Sequence, residues 1–257
     1  MMKIQRLTTE EMVHFKEQGY VIKRGLLDPE LMAQAREALW AGAPAPLQRD
    51  DPTTWIGPFA ETSDDPNSVR NGFTWKYRAP GSDAWMKQLL PLNPSVQAIA
   101  EQLLGVGTLQ PPERLRGIYC MLPEGDRPEQ PYHFHIDQHP FHLGVVAYID
   151  DVVPNGGGFS VWPGTHRIFY PLFATQHTFT PKPEAQALLK EIDGEPHVDC
   201  HGKAGDVVFW HHRLGHSAGH NRSRTIRQAI LYDFRHQDLA RLQELPPHED
   251  MWADWAI

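Results

Sequence analysis

Cysteine is nearly missing from this chain, with only Cys120 and Cys200 in 257 residues. A lone pair 80 positions apart builds neither a disulfide framework nor a zinc ligand set, and it fits a reducing compartment. Long apolar runs are missing too, and nothing approaches the roughly 18 residues of a membrane-spanning helix. The opening "MMKIQRLTTEEMVHF" has no apolar signal-peptide core, and the closing "DWAI" is no peroxisomal address. No lysine or arginine run occurs, and 24 basic against 32 acidic residues leave a formal charge of −8. That balance argues against a nucleic-acid partner. The expectation from these absences is a cytoplasmic protein that engages neither membrane nor nucleic acid. What remains is an ordinary globular mix, 40% hydrophobic and 22% charged. A chain of this length buries a core without disulfides or a structural metal, so any metal would serve chemistry.

The first hundred residues read as helix. Thr8 and Glu11 make a capping box before "EMVHFKEQGY". Asp28 and Pro29 have the form of an N-cap and first helical residue for "ELMAQAREALW", with Leu31, Met32, Ala35 and Leu39 as its core stripe. Ser95 to Leu104 reads as another helix, closed by Gly105. Between them, residues 43–82 carry Pro, Asp, Thr and aromatics with little periodicity, the texture of a functional loop. After Pro112 the texture changes to short strands: "LRGIYCML", "YHFHID", "LGVVAYI", "FSVWP", "DVVFW" and "RQAILYDF". Short strands at such spacing point to a sandwich or barrel. The last segment, "LARLQELPPHEDMWADWAI", reads as partly helical, a cap or extra layer.

Histidine is what the chain has in quantity, and four lie in "YHFHIDQHPFH", Tyr132 to His142. On a strand His135 and Asp137 point the same way, with His133 on that face and Phe134 and Ile136 on the other. A nitrogen and an oxygen side by side need one further ligand to make the facial set of non-haem iron oxygenases. An H-x-D pair alone also suits a hydrogen-bonded polar strand face. Downstream, "GDVVFWHHRLGHSAGHNRSRTIRQAILYDF" supplies His211, His212, His216 and His220 as candidate third ligands. Arg227 opens its last apolar run. A guanidinium entering a β core needs an anion, either a structural carboxylate or that of a ligand.

These stretches resemble the phytanoyl-CoA dioxygenase family of Fe(II)- and 2-oxoglutarate-dependent oxygenases. "LTTEEMVHFKEQGYVIKRGLLDPELMAQAREAL" is similar to its N-terminal helix, strand and helix. "HIDQ" matches its H-x-D metal pair, and "NGGGFSVWPGTHR" the segment that follows. "GHSAGHNRSRTIR" matches its distal segment, with Asn221 five and Arg227 eleven positions after His216. The resemblance spans residues 6–235. It departs at Ala218, where many members carry serine.

The resemblance implies an all-β core with flanking helices, a double-stranded β-helix (jelly roll, cupin-like) packed against N-terminal helices. Residues 1–257 would form one domain: 1–110 mainly helices and a covering loop, 111–236 the β-helix core, 237–257 a C-terminal cap. It implies His135, Asp137 and His216 as ligands of Fe(II), with O₂ and 2-oxoglutarate as co-substrates and Arg227 on the distal carboxylate of 2-oxoglutarate. A carboxylate at Asp137, where halogenating relatives have a small residue, favours hydroxylation. The expected partner is a small molecule, with the protein a monomer or homodimer. Trp75, Lys76, Phe134, His139 and Phe141 are the candidate substrate walls. A non-catalytic cupin-type metal barrel, using His133 with His135, is the alternative.

Overall fold

The computed structural model describes residues 4–128, 130–192 and 194–257. Helix α1 (Thr9–Gln18) starts on the capping box: the Thr8 hydroxyl accepts from the Glu11 N–H, and the Glu11 carboxylate accepts from the Thr8 N–H. Gly19, at φ 81°, ends it in the left-handed region and turns the chain into β1 (Tyr20–Lys23). Asp28 caps α2 (Pro29–Ala41), which buries Met32, Ala35 and Leu39. The stretch expected to be a covering loop contains a hairpin instead, β2 (Ser68–Asn71) and β3 (Thr74–Tyr77). Helices α3 (Ala84–Leu89) and α4 (Pro94–Leu104) follow, α4 capped by Asn93 and ended at Gly105.

The β-rich half supplies β4 (Gly117–Met121), β5 (Leu143–Tyr148) and β6 (Phe159–Val161). Then come α5 (Thr165–Phe169), α6 (Pro183–Ile192), β7 (Val198–Cys200), β8 (Val207–His211), β9 (His216–Ala218), β10 (Arg227–Phe234) and α7 (Leu239–Leu242). Two antiparallel sheets result, one in the order β1-β8-β5-β10-β4-β3-β2 and one in the order β7-β6-β9. This is the jelly-roll core with flanking helices.

Strand β10 is buried on both faces, and its alternation sorts the molecule into layers. Ile230, Tyr232 and Phe234 join Ile118, Val145 and Phe209 in a core shared with Phe15, Met32, Leu39 and Ile99 of the helices. Ala229 and Leu231 face inward with Val146, Tyr148, Val208 and Trp210, meeting Phe159, Val161 and Cys200 of the small sheet. Arg227 and Asp233 sit on this inward-facing register of β10, at its two ends. Tyr148 stitches the sheets together, its hydroxyl donating to the Cys200 carbonyl at 2.6 Å and accepting from the Phe159 N–H at 2.9 Å. A third cluster, Phe134, Ile136, Trp162, Phe169, Phe173, Ala185 and Ile192, packs α5 and α6 behind the small sheet. In the C-terminal segment, Trp252 and Trp255 pack on Phe15 and His211. No helix among the described residues is long and apolar enough to cross a membrane.

Candidate active site

The stretch "YHFHID" is not a regular strand. Only His135 pairs, exchanging both backbone hydrogen bonds with His216 at 3.0 Å. The bridge sets the two imidazoles side by side, with ring centroids 4.4 Å apart. Side chains still alternate around it: Phe134 and Ile136 are buried in the cluster behind the small sheet, while His133 is exposed and His135 and Asp137 are partly so. Ligand atoms of His135, Asp137 and His216 lie within 4.8 Å of one another, and this is the one such trio among the described residues.

Backbone carbonyls orient both rings. Nδ1 of His135 lies 2.9 Å from the His133 carbonyl, and Nδ1 of His216 lies 2.9 Å from that of Leu214. A carbonyl only accepts, so Nδ1 carries the proton and Nε2 keeps its lone pair for a metal. Burial pushes His135 down to about 4, with His216 adding to the shift. Burial also lowers His216, against the opposing pull of Asp137. Both rings are therefore neutral at neutral pH. Burial alone would raise the Asp137 carboxyl, but His216 and Arg116 outweigh it and hold the group well below the usual carboxylate range. Two neutral imidazoles and one carboxylate, with His216 Nε2 3.6 Å from Asp137 Oδ2, fit a facial set for Fe(II).

A charged network surrounds Asp137. Arg116 reaches Asp137 at 3.1 Å and Asp233 at 2.7 Å, and His139 Nε2 lies 2.8 Å from Asp233. The His139 ring stacks on Phe141, with centroids 5.0 Å apart. Sequence reasoning missed Arg116 and Asp233. Their signal was a charge inside each of two apolar strand stretches, "LRGIYCML" and "RQAILYDF".

Arg227 is 4% exposed and has no acid within salt-bridge distance among the described residues. Its guanidinium donates once, to the Tyr119 carbonyl at 3.2 Å, and its Nε is buried without a partner. Burial lowers its pKa. The structural-carboxylate explanation for Arg227 therefore fails among the described residues, and the guanidinium suits an incoming carboxylate.

Three substrate-wall expectations, Trp75, Phe134 and Phe141, need correction. Trp75 is fully buried in the helix-side core, and its indole N–H donates to the Ser68 hydroxyl. Strand alternation turns it away from the site and turns Lys76 toward it, with Lys76 Nζ 5.3 Å from the centre of the Tyr119 ring. Phe134 also faces away from the metal trio, wedged between Trp162 and Phe169. Phe141, 1% exposed, backs His139, which itself borders a cavity beside Asp137.

The other histidines have their own places. His142, His177, His212 and His211 form a buried chain of rings with centroids 4.1–4.3 Å apart. His220 pairs with Glu124 at 2.7 Å. The Asn221 amide closes its turn by donating to the Met121 and Thr225 carbonyls.

A family model for phytanoyl-CoA dioxygenase (PhyH) matches residues 15–229. No curated protein matches by sequence. Among solved structures, the non-heme alpha ketoglutarate dependent carbocyclase SnoK from nogalamycin biosynthesis matches with TM-score 0.59 and 22% identity, over 95% of each chain. EctD from S. alaskensis, solved with 2-oxoglutarate and 5-hydroxyectoine, matches with TM-score 0.57 and 18% identity, over 91% of this chain and 77% of its own. HygX from Streptomyces hygroscopicus, solved with nickel and 2-oxoglutarate, matches with TM-score 0.57 and 15% identity, over 90% and 87%. At these identities the likeness is one of fold.

Proposed function

The chain belongs to the phytanoyl-CoA dioxygenase family of Fe(II)- and 2-oxoglutarate-dependent oxygenases, and from that premise we propose that it hydroxylates a small molecule. The balance is R–H plus 2-oxoglutarate plus O₂ giving R–OH, succinate and CO₂. The observation that carries the reading is the His135–Asp137–His216 trio within 4.8 Å, in a chain that also buries an arginine with no acid in salt-bridge reach among the described residues. Bound iron supplies the redox chemistry; the protein supplies orientation and exclusion of water.

His135 and His216 would hold the ion through Nε2, their rings fixed by the carbonyls behind them. Asp137 would contribute the negatively charged oxygen of the set. Arg116 keeps that carboxylate ionised and in place, and Asp233 and His139 hold Arg116 in turn. Arg227 grips the distal carboxylate of 2-oxoglutarate through its planar fork. A carboxylate at Asp137 occupies the place a halide would need, so hydroxylation is favoured over halogenation. Residues 1–257 act as one catalytic domain, because the N-terminal helices share their core with the large sheet.

The test is succinate release from 2-oxoglutarate with Fe(II), measured over a panel of small molecules. Iron-dependent turnover stimulated by a panel member supports the reading. An iron-loaded protein that neither binds nor decarboxylates 2-oxoglutarate refutes it. It would then favour a passive metal barrel, although such a barrel has no use for a buried unpaired guanidinium.

A further inference from the structure

A cavity of about 780 Å³ opens beside Asp137. Its wall holds four arginines, Arg78, Arg114, Arg116 and Arg235, against three acids, Glu113, Asp137 and Asp233. Two of those acids are already engaged. Asp233 pairs with Arg116 and His139, and Asp137 pairs with Arg116 and belongs to the metal trio. Arg78, Arg114 and Arg235 have no acid within salt-bridge distance among the described residues, and Glu113 is exposed to water. Arg114 is held in place, donating to the Arg78 carbonyl at 2.8 Å and to the Ser82 hydroxyl at 3.4 Å. Lys76 adds a further cation beside Tyr119, which also lines the cavity. Burial lowers the Lys76 pKa first, and Arg78 and Arg116 add to the shift against the opposing pull of Asp137.

Composition does not explain this wall, because the chain as a whole carries −8. Nor does 2-oxoglutarate, whose distal carboxylate is already served by Arg227 in the reading above. The volume suits an organic molecule, and Tyr119, Leu115 and Tyr232 give it apolar surface.

We propose that the substrate is an organic anion whose carboxylate or phosphate is held by Arg78, Arg114 and Arg235, with the carbon to be oxidised turned toward Asp137. This rests on the oxygenase reading. Cations at the mouth of a cleft also raise the local concentration of such a substrate, an effect that salt weakens.

The test is calorimetric titration of the Fe(II) protein, saturated with 2-oxoglutarate and kept anaerobic. The probes are phenyl phosphate and 3-phenylpropionate, with 3-phenylpropionamide as the neutral control. At least one anion should bind, the amide should not, and the tighter anion tells phosphate from carboxylate recognition. Arg78→Gln and Arg235→Gln should each weaken the anion by about tenfold, and Arg78→Lys should fall between. The proposal is overturned if neither anion binds up to about 10 mM, a binding energy below roughly 3 kcal/mol. It is also overturned if the amide binds as well as the anions, or if both Gln variants bind like the parent. Succinate release by the parent protein without any probe separates the two claims. Its presence with no anion preference sinks only the anion; its absence, with no 2-oxoglutarate binding, sinks the oxygenase reading.

Discussion

Replacing Arg227 by methionine should have opposite effects with and without 2-oxoglutarate. Without it, the parent protein buries a guanidinium that, among the described residues, has one hydrogen bond, to the Tyr119 carbonyl, and an unpartnered Nε. An uncompensated buried charge costs several kcal/mol, offset here in part by that bond and by the Tyr148 ring 6.0 Å away. Methionine fills similar space without the charge, so the variant should gain about 1–3 kcal/mol. For a chain of this size that raises Tm by roughly 2–4 °C per kcal/mol. With 2-oxoglutarate the order reverses. Each charge-assisted bond contributes about 1.5–3 kcal/mol, so losing one weakens the co-substrate roughly 10- to 150-fold. Arg227→Lys keeps the charge without the fork and should fall between. The assay is a thermal melt of the Fe(II) protein with and without 2-oxoglutarate, under nitrogen. A methionine variant that melts several degrees lower without co-substrate would refute the reasoning, because it would mean Arg227 holds a structural partner.

Three further outcomes are expected. His216→Ala should lose stoichiometric iron by elemental analysis while His133→Ala keeps it; a His216→Ala protein with one iron per chain contradicts the ligand set. The buried histidine chain should make the fold acid-labile: burial holds His177 at about 4 and His142, His211 and His212 well below their usual value. The unfolded chain, with ordinary values near 6.5, takes up protons first, so stability is full above that pH and falls toward pH 4, by about 1.4 kcal/mol per unit for each ring. Circular dichroism should show unfolding near pH 5, and a midpoint below pH 3 would contradict this. Gly215→Ala should cost about 1–3 kcal/mol by overpacking, because its Cβ would overlap the Phe134 ring between the two metal-binding segments. An unchanged melt and iron content would show that the ring moves freely.

Much of this was legible in the residues. The Thr8–Glu11 capping box, Asp28 with Pro29, and Gly105 mark helix ends through local hydrogen bonding and backbone angle, which sequence carries directly. "RQAILYDF" coincides with β10 because a strand buried on both faces is an unbroken apolar run flanked by charge. The hairpin β2–β3 was hidden, since its strands are four residues each and are held in the sheet by the pairing of β3 with β4. That same pairing decides which of Trp75 and Lys76 faces the site, and neighbouring residues in sequence give no hint of it. Phe134 adjoins the metal pair in sequence, but alternation turns its ring to the opposite side, against Trp162 and Phe169. Arg116, just before β4, and Asp233 of β10 meet from 117 positions apart, a contact no local pattern announces.

The central claim is that His135, Asp137 and His216 hold iron beside a co-substrate anchored by Arg227. Diffraction at the iron edge, on crystals soaked anaerobically with Fe(II) and 2-oxoglutarate, tests it most directly. One anomalous peak is expected, within bonding distance of His135 Nε2, His216 Nε2 and an Asp137 oxygen, with the distal carboxylate of 2-oxoglutarate on the Arg227 guanidinium. A peak among His142, His177, His211 and His212, or 2-oxoglutarate bound away from Arg227, would contradict it.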